Sequence, residues 1–286
     1  SERSNRASWI TESVFRHLFR QSQSLIGNDM ADKTYPWKIA WITGASGAIC
    51  GEIAQRLAKA GVKVAATARP SEKLDELAAS SPSITAFPAD VLDVEALKAC
   101  AAKVEAELGP IDLALLGAGM YVPFDIRNID TEGFRQTMAL NVDGVLNGIA
   151  AELPAMLERG EGHLAIMGSL FGYAGWPGNG SYGASKAAVI NLAESLKLEL
   201  RGTGIDITLI NPGFVDTPLN ASYDPKKKLF VMSKERCARK ILEKLPKRPY
   251  EIAFPPQVEI FLKTVRNLPR AASFPVVRWF IKATGA

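Results

Sequence analysis

The stretch Ile39-Ala40-Trp41-Ile42-Thr43-Gly44-Ala45-Ser46-Gly47-Ala48-Ile49-Cys50-Gly51 decides the fold. Its first five residues are almost continuously apolar, which predicts a strand buried on both faces. The small residues that follow predict a tight turn, and the segment through Ala60 predicts a helix. A glycine cluster alone is compatible with a plain turn. Between a first strand and a first helix it lets backbone amides and the positive end of a helix approach a pyrophosphate.

The pattern repeats outward from this unit. Strands are predicted at 62–67, 84–87, 113–116, 163–167, 205–210 and 250–254. Helices are predicted at 72–79, 94–108, 131–157, 182–200 and 233–245, the last with Ser233 as its N-cap. Strands that alternate with helices and are apolar on both faces indicate an α/β fold. Right-handed crossovers then give a doubly wound parallel sheet of seven strands with helices on both faces. The catalytic domain is placed at residues 36–255, with extensions at 1–35 and 256–286.

Composition narrows the functions. The chain has 286 residues, 47% hydrophobic and 22% charged, which suits one large globular domain. No apolar run reaches the roughly 18 residues that a membrane-spanning helix needs. Cys50, Cys100 and Cys237 are scattered, and His17 and His163 are the only histidines. A disulfide framework, a metal site and a histidine-based triad are therefore not expected, and a reducing, cytoplasmic compartment is. From Pro225 onward the chain carries 15 Lys and Arg against 4 Asp and Glu, whereas the remainder carries 19 against 26. This basic tail fits either a solvated exterior or an anionic membrane surface, and not a nucleic-acid partner.

Tyr182 and Lys186 stand four apart in Ser181-Tyr182-Gly183-Ala184-Ser185-Lys186, with Ser169 thirteen positions before the tyrosine. On a helix that spacing puts both side chains on one face. A phenol has an ordinary pKa of about 10, and a nearby ammonium is expected to lower it toward the working range for proton transfer. A serine hydroxyl from another segment would hold the oxygen being protonated. At the end of the second strand Ala68 carries no charge and Arg69 follows, so a 2′-phosphate would be met by a guanidinium. That favours NADP(H) over NAD(H). Asp90, after the third strand, would accept from an adenine amino group or serve as a loop aspartate.

Taken together these motifs resemble the short-chain dehydrogenase/reductase family over residues 37–254. The glycine turn at 43–51, Asp90-Val91, Leu116-Gly117-Ala118-Gly119, Asn141 in Leu140-Asn141-Val142-Asp143-Gly144, and Asn211-Pro212-Gly213-Phe214-Val215-Asp216-Thr217 occur in the family's order. The resemblance implies a catalytic set of Asn141, Ser169, Tyr182 and Lys186. Tyr182 would exchange the proton, Lys186 would lower its pKa and bind the nicotinamide ribose, Ser169 would orient the substrate oxygen, and Asn141 would hold a water. It also implies that Gly44, Ser46, Gly47, Ile49, Arg69, Asp90, Val91, Ala118, Gly119, Tyr182, Lys186, Pro212, Gly213, Val215 and Thr217 bind the cofactor. A homodimer or homotetramer through the two central long helices is a further implication.

Four positions depart from the family's pattern. Ala48 and Cys50 stand where it usually has glycines, and Leu116 and Gly117 where it usually has two asparagines. Cys50 is expected to shift the turn or widen the backbone beside it, and loss of the asparagine amide to reduce cofactor affinity.

Around the predicted site Met120, Tyr121, Phe171, Tyr173, Trp176, Phe214 and Leu219 are apolar or aromatic, with Tyr121, Phe171, Trp176 and Phe214 taken as the substrate pocket. This favours an uncharged, hydrophobic carbonyl or secondary alcohol. Residues 214–233 are expected to form a lid, with Lys226-Lys227-Lys228 facing solvent. Ile10, Val14 and Leu18 predict a short amphipathic helix, which fits a targeting segment, an anchor, a packing arm, or sequence upstream of a start at Met30. Past Phe254, Val258, Phe261, Leu262, Val265 and Leu268 recur at helical spacing, and Val276, Val277, Trp279, Phe280 and Ile281 form a second cluster. These fit a membrane interface, a cap over the substrate entrance or a subunit contact. An NADP(H)-dependent oxidoreductase leads. A nucleotide-binding sensor or scaffold without turnover and a peripheral membrane protein stand as alternatives.

Overall fold

A computed structural model describes residues 34–220 and 230–284, which belong to one compact unit. The amphipathic segment around Val14, the lysines at 226–228 and much of the expected lid lie outside the described residues.

Seven strands form one sheet in the order β3-β2-β1-β4-β5-β6-β9. They are β1 (Ile39–Thr43), β2 (Lys63–Thr67), β3 (Ile84–Ala86), β4 (Leu113–Leu116), β5 (Gly162–Met167), β6 (Ile205–Pro212) and β9 (Glu251–Phe254). Every pairing is parallel. All five residues of β1 are buried, as a central strand covered on both faces requires. Its Trp41 indole still finds a partner, donating to Thr67 Oγ1 at 2.9 Å. A short pair, β7 (Val215–Asp216) and β8 (Met232–Ser233), was not expected from the sequence.

Helices cover both faces. On one side α1 (Ala48–Lys59) and α2 (Glu72–Ala79) lie with α7 (Lys234–Lys244). On the other are α3 (Val94–Leu108), α4 (Thr131–Met138), α5 (Gly144–Arg159) and α6 (Gly180–Glu199). Short polar side chains fix their starts: Asp93 caps α3, Asp130 caps α4, and Ser233 caps α7 through a bond from Arg236 N at 3.3 Å. The predicted helix at 131–157 is interrupted. Residues Ala139–Asp143 form a π turn between α4 and α5, and this extra residue swings Asn141 into the interior.

The C-terminal extension folds as α8 (Pro256–Asn267) and α9 (Arg270–Thr284). Leu262 and Val265 of α8 are buried against the body. Lys263 is paired with both Glu251 and Glu259, and Glu251 in turn accepts from Asn211 Nδ2 at 2.8 Å. Asn211 Nδ2 also donates to the Tyr173 hydroxyl at 2.8 Å, so Tyr173 belongs to this anchoring network and not to a substrate pocket. The extension is packed on the domain.

Glu152 of α5 is 1% exposed, 3.1 Å from Arg159. Burial, reinforced by Glu105, pushes its carboxyl up to about 8 against the pull of Arg159. The folded chain therefore keeps a proton that the unfolded chain has released above the ordinary value of 4.5. Stability from this group is full below 4.5 and is lost as the pH rises through about 8. Glu152→Gln keeps the shape and removes the titration. In thermal melts the wild-type Tm should fall relative to that of the variant as the pH rises through that window; a constant difference between the two would contradict this.

Candidate active site

The strand order reverses between β1 and β4, and a crevice opens beyond their carboxyl ends. The turn after β1 enters it. Gly44 has φ +67°, and a Cβ there would lie 2.7 Å from Ala118 Cα and N, so only glycine fits. Gly47 then caps α1 without a side chain, leaving the first amides of the helix facing the crevice.

The departures at 50 and 117 prove to be one feature. A Cβ on Gly117 would lie 2.2 Å from Cys50 Sγ. The thiol occupies the space that a side chain at 117 would fill. Correcting the expectation, no widened backbone is needed: the missing side chain on β4's extension makes room for the added one on α1. Leu116 points the other way, with its Cδ2 2.7 Å from where a Cβ on Gly148 of α5 would stand. Gly117 N still donates to Thr43 Oγ1 at 3.2 Å, tying the end of β4 to the turn. Burial drives the Cys50 thiol up to about 12, so it is a packing group and not a nucleophile.

The cleft, about 500 Å³, runs from the glycine turn to the ends of β5 and β6. Gly44, Ser46, Gly47 and Ile49 line one end; Gly119, Tyr182 and Lys186 line the other, with Pro212, Gly213, Val215 and Thr217 beside them. A glycine cradle against helix amides, joined to an apolar and polar wall of this length, fits a dinucleotide. Not every expected cofactor residue lies on the lining. Arg69 is exposed directly after β2. Asp90 accepts from Leu92 N at 3.0 Å within its own turn. Val91 is buried, with a methyl 2.9 Å from where a Cβ on Gly144 would stand. Ala118 meets the turn through its backbone. Lys73 and Glu76, on α2, do line the cleft. The sequence reading missed them because charged residues early in an exposed helix look merely solvated.

At the deep end α6 presents Tyr182 and Lys186. Lys186 is 3% exposed, and its Nζ donates to Met167 O at 2.8 Å, at the end of β5. The same Nζ lies 5.8 Å from the centre of the Tyr182 ring. Ser169, 3% exposed at the start of a 3-10 turn, donates to Pro212 O at 3.4 Å and accepts from Phe171 N at 3.3 Å, and it sits close enough to the Tyr182 phenol to draw its pKa down. Ser169, Tyr182 and Lys186 therefore converge.

Asn141 is fully buried beneath them. Its Oδ1 accepts from Met120 N at 2.8 Å, and its Nδ2 donates to Met120 O at 3.0 Å and Ser185 Oγ at 2.9 Å. Both amide protons are committed, so the side chain clamps the loop after β4 to α6. A Cβ on Gly119 would lie 3.0 Å from Asn141 Oδ1 and 3.7 Å from Lys186 Nζ, which keeps this corner closed to any larger residue.

Electrostatics also differ from the expectation. Burial raises the Tyr182 phenol above its ordinary 10, and only the bond to Ser169 draws it back. Burial lowers the Lys186 ammonium to about 8. Desolvation is the leading cause at both groups, although Lys186 is buried and Tyr182 is half-buried on the cleft wall.

Comparison with known proteins gives the family. The family profile described as short chain dehydrogenase matches residues 38–228. This chain belongs to the short-chain dehydrogenase family. It is an oxidoreductase of that family, whose fold binds a nicotinamide cofactor. The dehydrogenase is 32% identical over 244 residues to an uncharacterized oxidoreductase of Myxococcus xanthus, covering 84% of this chain and 95% of that one. A short-chain dehydrogenase from Streptomyces avermitilis superposes with a TM-score of 0.71 at 27% identity, over 86% of this chain and 96% of that one. One from Burkholderia cenocepacia, solved in complex with NADP, gives 0.74 at 21% identity, over 86% and 99%.

Of the expected substrate residues, Tyr121 stands edge-on to Tyr182 at 5.5 Å. Phe171, Trp176 and Phe214 instead join Phe261 of α8 and Phe280 of α9 in an aromatic cluster behind Gly213, with only about 20 Å³ left open. Gly213 also lines the cofactor cleft, so the two spaces are neighbours in this dehydrogenase.

The fit between Cys50 and Gly117 is testable. Gly117→Ala should destabilise the dehydrogenase by about 1–3 kcal/mol through overpacking. Adding Cys50→Gly should recover most of that in denaturant unfolding. A Gly117→Ala protein of wild-type stability would refute the packing.

Proposed function

We propose that this chain is an NADP(H)-dependent oxidoreductase that reduces a hydrophobic carbonyl, or oxidises the matching secondary alcohol, with Tyr182 as the proton-exchanging group. The observation that carries the reading is that Tyr182 and Lys186 line one end of a cleft whose other end is the glycine turn, with Ser169 buried beside the phenol.

A bound nicotinamide would supply or accept the hydride. The chain's own residues do the rest. Ser169 Oγ orients the substrate oxygen and Tyr182 gives it a proton. A phenol raised by burial remains protonated through neutral pH, which suits the acid role in reduction. Lys186 stabilises the phenolate left behind, and Met167 O holds its ammonium in place. Asn141 positions both through Ser185 and the 120 loop. Gly213, Val215 and Thr217 close the far side of the cleft, where the carboxamide would be fixed.

The preference for a 2′-phosphate is supported by the uncharged Ala68, the exposed Arg69 after β2, and Lys73 on the cleft wall in the first turn of α2. A lipophilic substrate is supported by Tyr121, edge-on to the phenol, and by Leu219 on the cleft wall. The fit of Cys50 to Gly117 weakens one motive for a sensor without turnover, the altered glycine turn. We also propose a homo-oligomer through α5 and α6, supported by exposed Leu146, Leu157 and Leu198 on those helices.

Tyr182→Phe should lower kcat by roughly 10²–10⁴-fold with NADPH affinity nearly unchanged, because only proton transfer is removed. Undiminished turnover would defeat the mechanism. Arg69→Ala and Lys73→Ala together should weaken NADPH far more than NADH in fluorescence titrations; equal weakening would refute the cofactor preference.

A further inference from the structure

α9 has two faces of different chemistry. Inward, Phe280 stacks on Phe261 at 4.0 Å and meets Trp176 edge-on at 6.1 Å. Trp176 in turn meets Phe171 at 6.1 Å, and Phe171 meets Phe214 at 4.9 Å. This face is a wall of the aromatic cluster beside the cofactor cleft.

Outward, Phe274 is 64% and Trp279 59% exposed. Arg270, Phe274, Arg278 and Lys282 follow one another at i, i+4 spacing, and Trp279 lies beside them. α9 contains no acidic residue, and none of its three cations makes an ion pair among the described residues. The contrast with α8 is direct: Lys263 there is bound to Glu251 and Glu259, and Arg266 lies 3.5 Å from Glu194. Two large aromatic side chains held in water between three unneutralised cations are costly in an isolated soluble protein.

We propose that the outer face of α9 docks on an anionic lipid surface, with Phe274 and Trp279 entering the headgroup boundary and Arg270, Arg278 and Lys282 meeting the lipid charges. Charge decides the occupant. A second copy docked through this face by a two-fold axis would set these cations against their own kind. An anionic bilayer neutralises them while the aromatic rings leave water. No helix among the described residues is long and apolar enough to cross a membrane, so this contact is peripheral.

Docking deepens the functional reading and, for this one consequence, rests on it: the wall of the aromatic cluster would lie against the lipid, and the substrate would be a carbonyl or alcohol dissolved in the membrane. The docking itself depends only on α9.

The test is cosedimentation of the full chain with vesicles of phosphatidylcholine alone or mixed with phosphatidylglycerol, at low and high salt. Binding should be roughly tenfold stronger to the mixed vesicles and should fall with salt. Phe274→Ser with Trp279→Ser, and separately Arg278→Glu with Lys282→Glu, should each lose roughly tenfold or more while keeping the wild-type melting temperature. The second pair replaces exposed charges only, so it reports even where the first impairs folding. Tyr182→Phe should bind vesicles as the wild type does, which separates failure of docking from failure of the catalytic reading. Equal binding to both vesicles, no binding to either, or wild-type binding by the charge-reversed variant would overturn the proposal. So would sedimentation velocity showing a dimer that Trp279→Ser dissolves, since that would put a second copy on this face.

Discussion

Withdrawal of the Lys186 ammonium from water is the constraint around which the site is arranged. An amine with 3% of its surface exposed must be given an acceptor, and Met167 O at 2.8 Å is that acceptor. The bond fixes α6 against the end of β5. With α6 fixed, Tyr182 stands one turn earlier on the same face and Ser169 meets it from the segment after β5. Asn141, brought inward by its π turn, locks the remaining side through Ser185 and Met120. These bonds fix the neighbours of the Tyr182 phenol on two sides.

The same economy of space governs the other end of the cleft. Gly44 is pressed against Ala118, and Cys50 Sγ fills the place where a side chain on Gly117 would stand. The volume added on α1 is the volume removed beyond β4, which keeps the glycine turn where helix amides face the crevice. Substitutions that look damaging one at a time are compatible when they meet in the fold.

Much of this was legible in the chain. Apolar strands bounded by glycine and proline gave β1 and β4 with their observed ends, and α2 and α3 likewise. The spacing of Tyr182 and Lys186 held because i, i+4 geometry is local. What escaped was non-local or subtle. A π turn adds one residue to a helix and hardly disturbs a 3.6-residue period, so the break at Ala139–Asp143 was invisible. Contact between Cys50 and Gly117 joins residues far apart in sequence. The direction of the Tyr182 shift depended on burial, which spacing does not report. Helical spacing after Phe254 was legible, but which face of α9 would meet Trp176 and which would stay in water required the fold.

The most direct test of the central constraint is the titration of Lys186 itself. NMR of the protein carrying isotope-labelled lysine, with the resonance assigned by its absence in Lys186→Met, follows the side chain through alkaline pH. A buried ammonium held only by a carbonyl should release its proton near pH 8. Titration at the ordinary 10.5 would mean that the amine is solvated, and the arrangement described here would not hold.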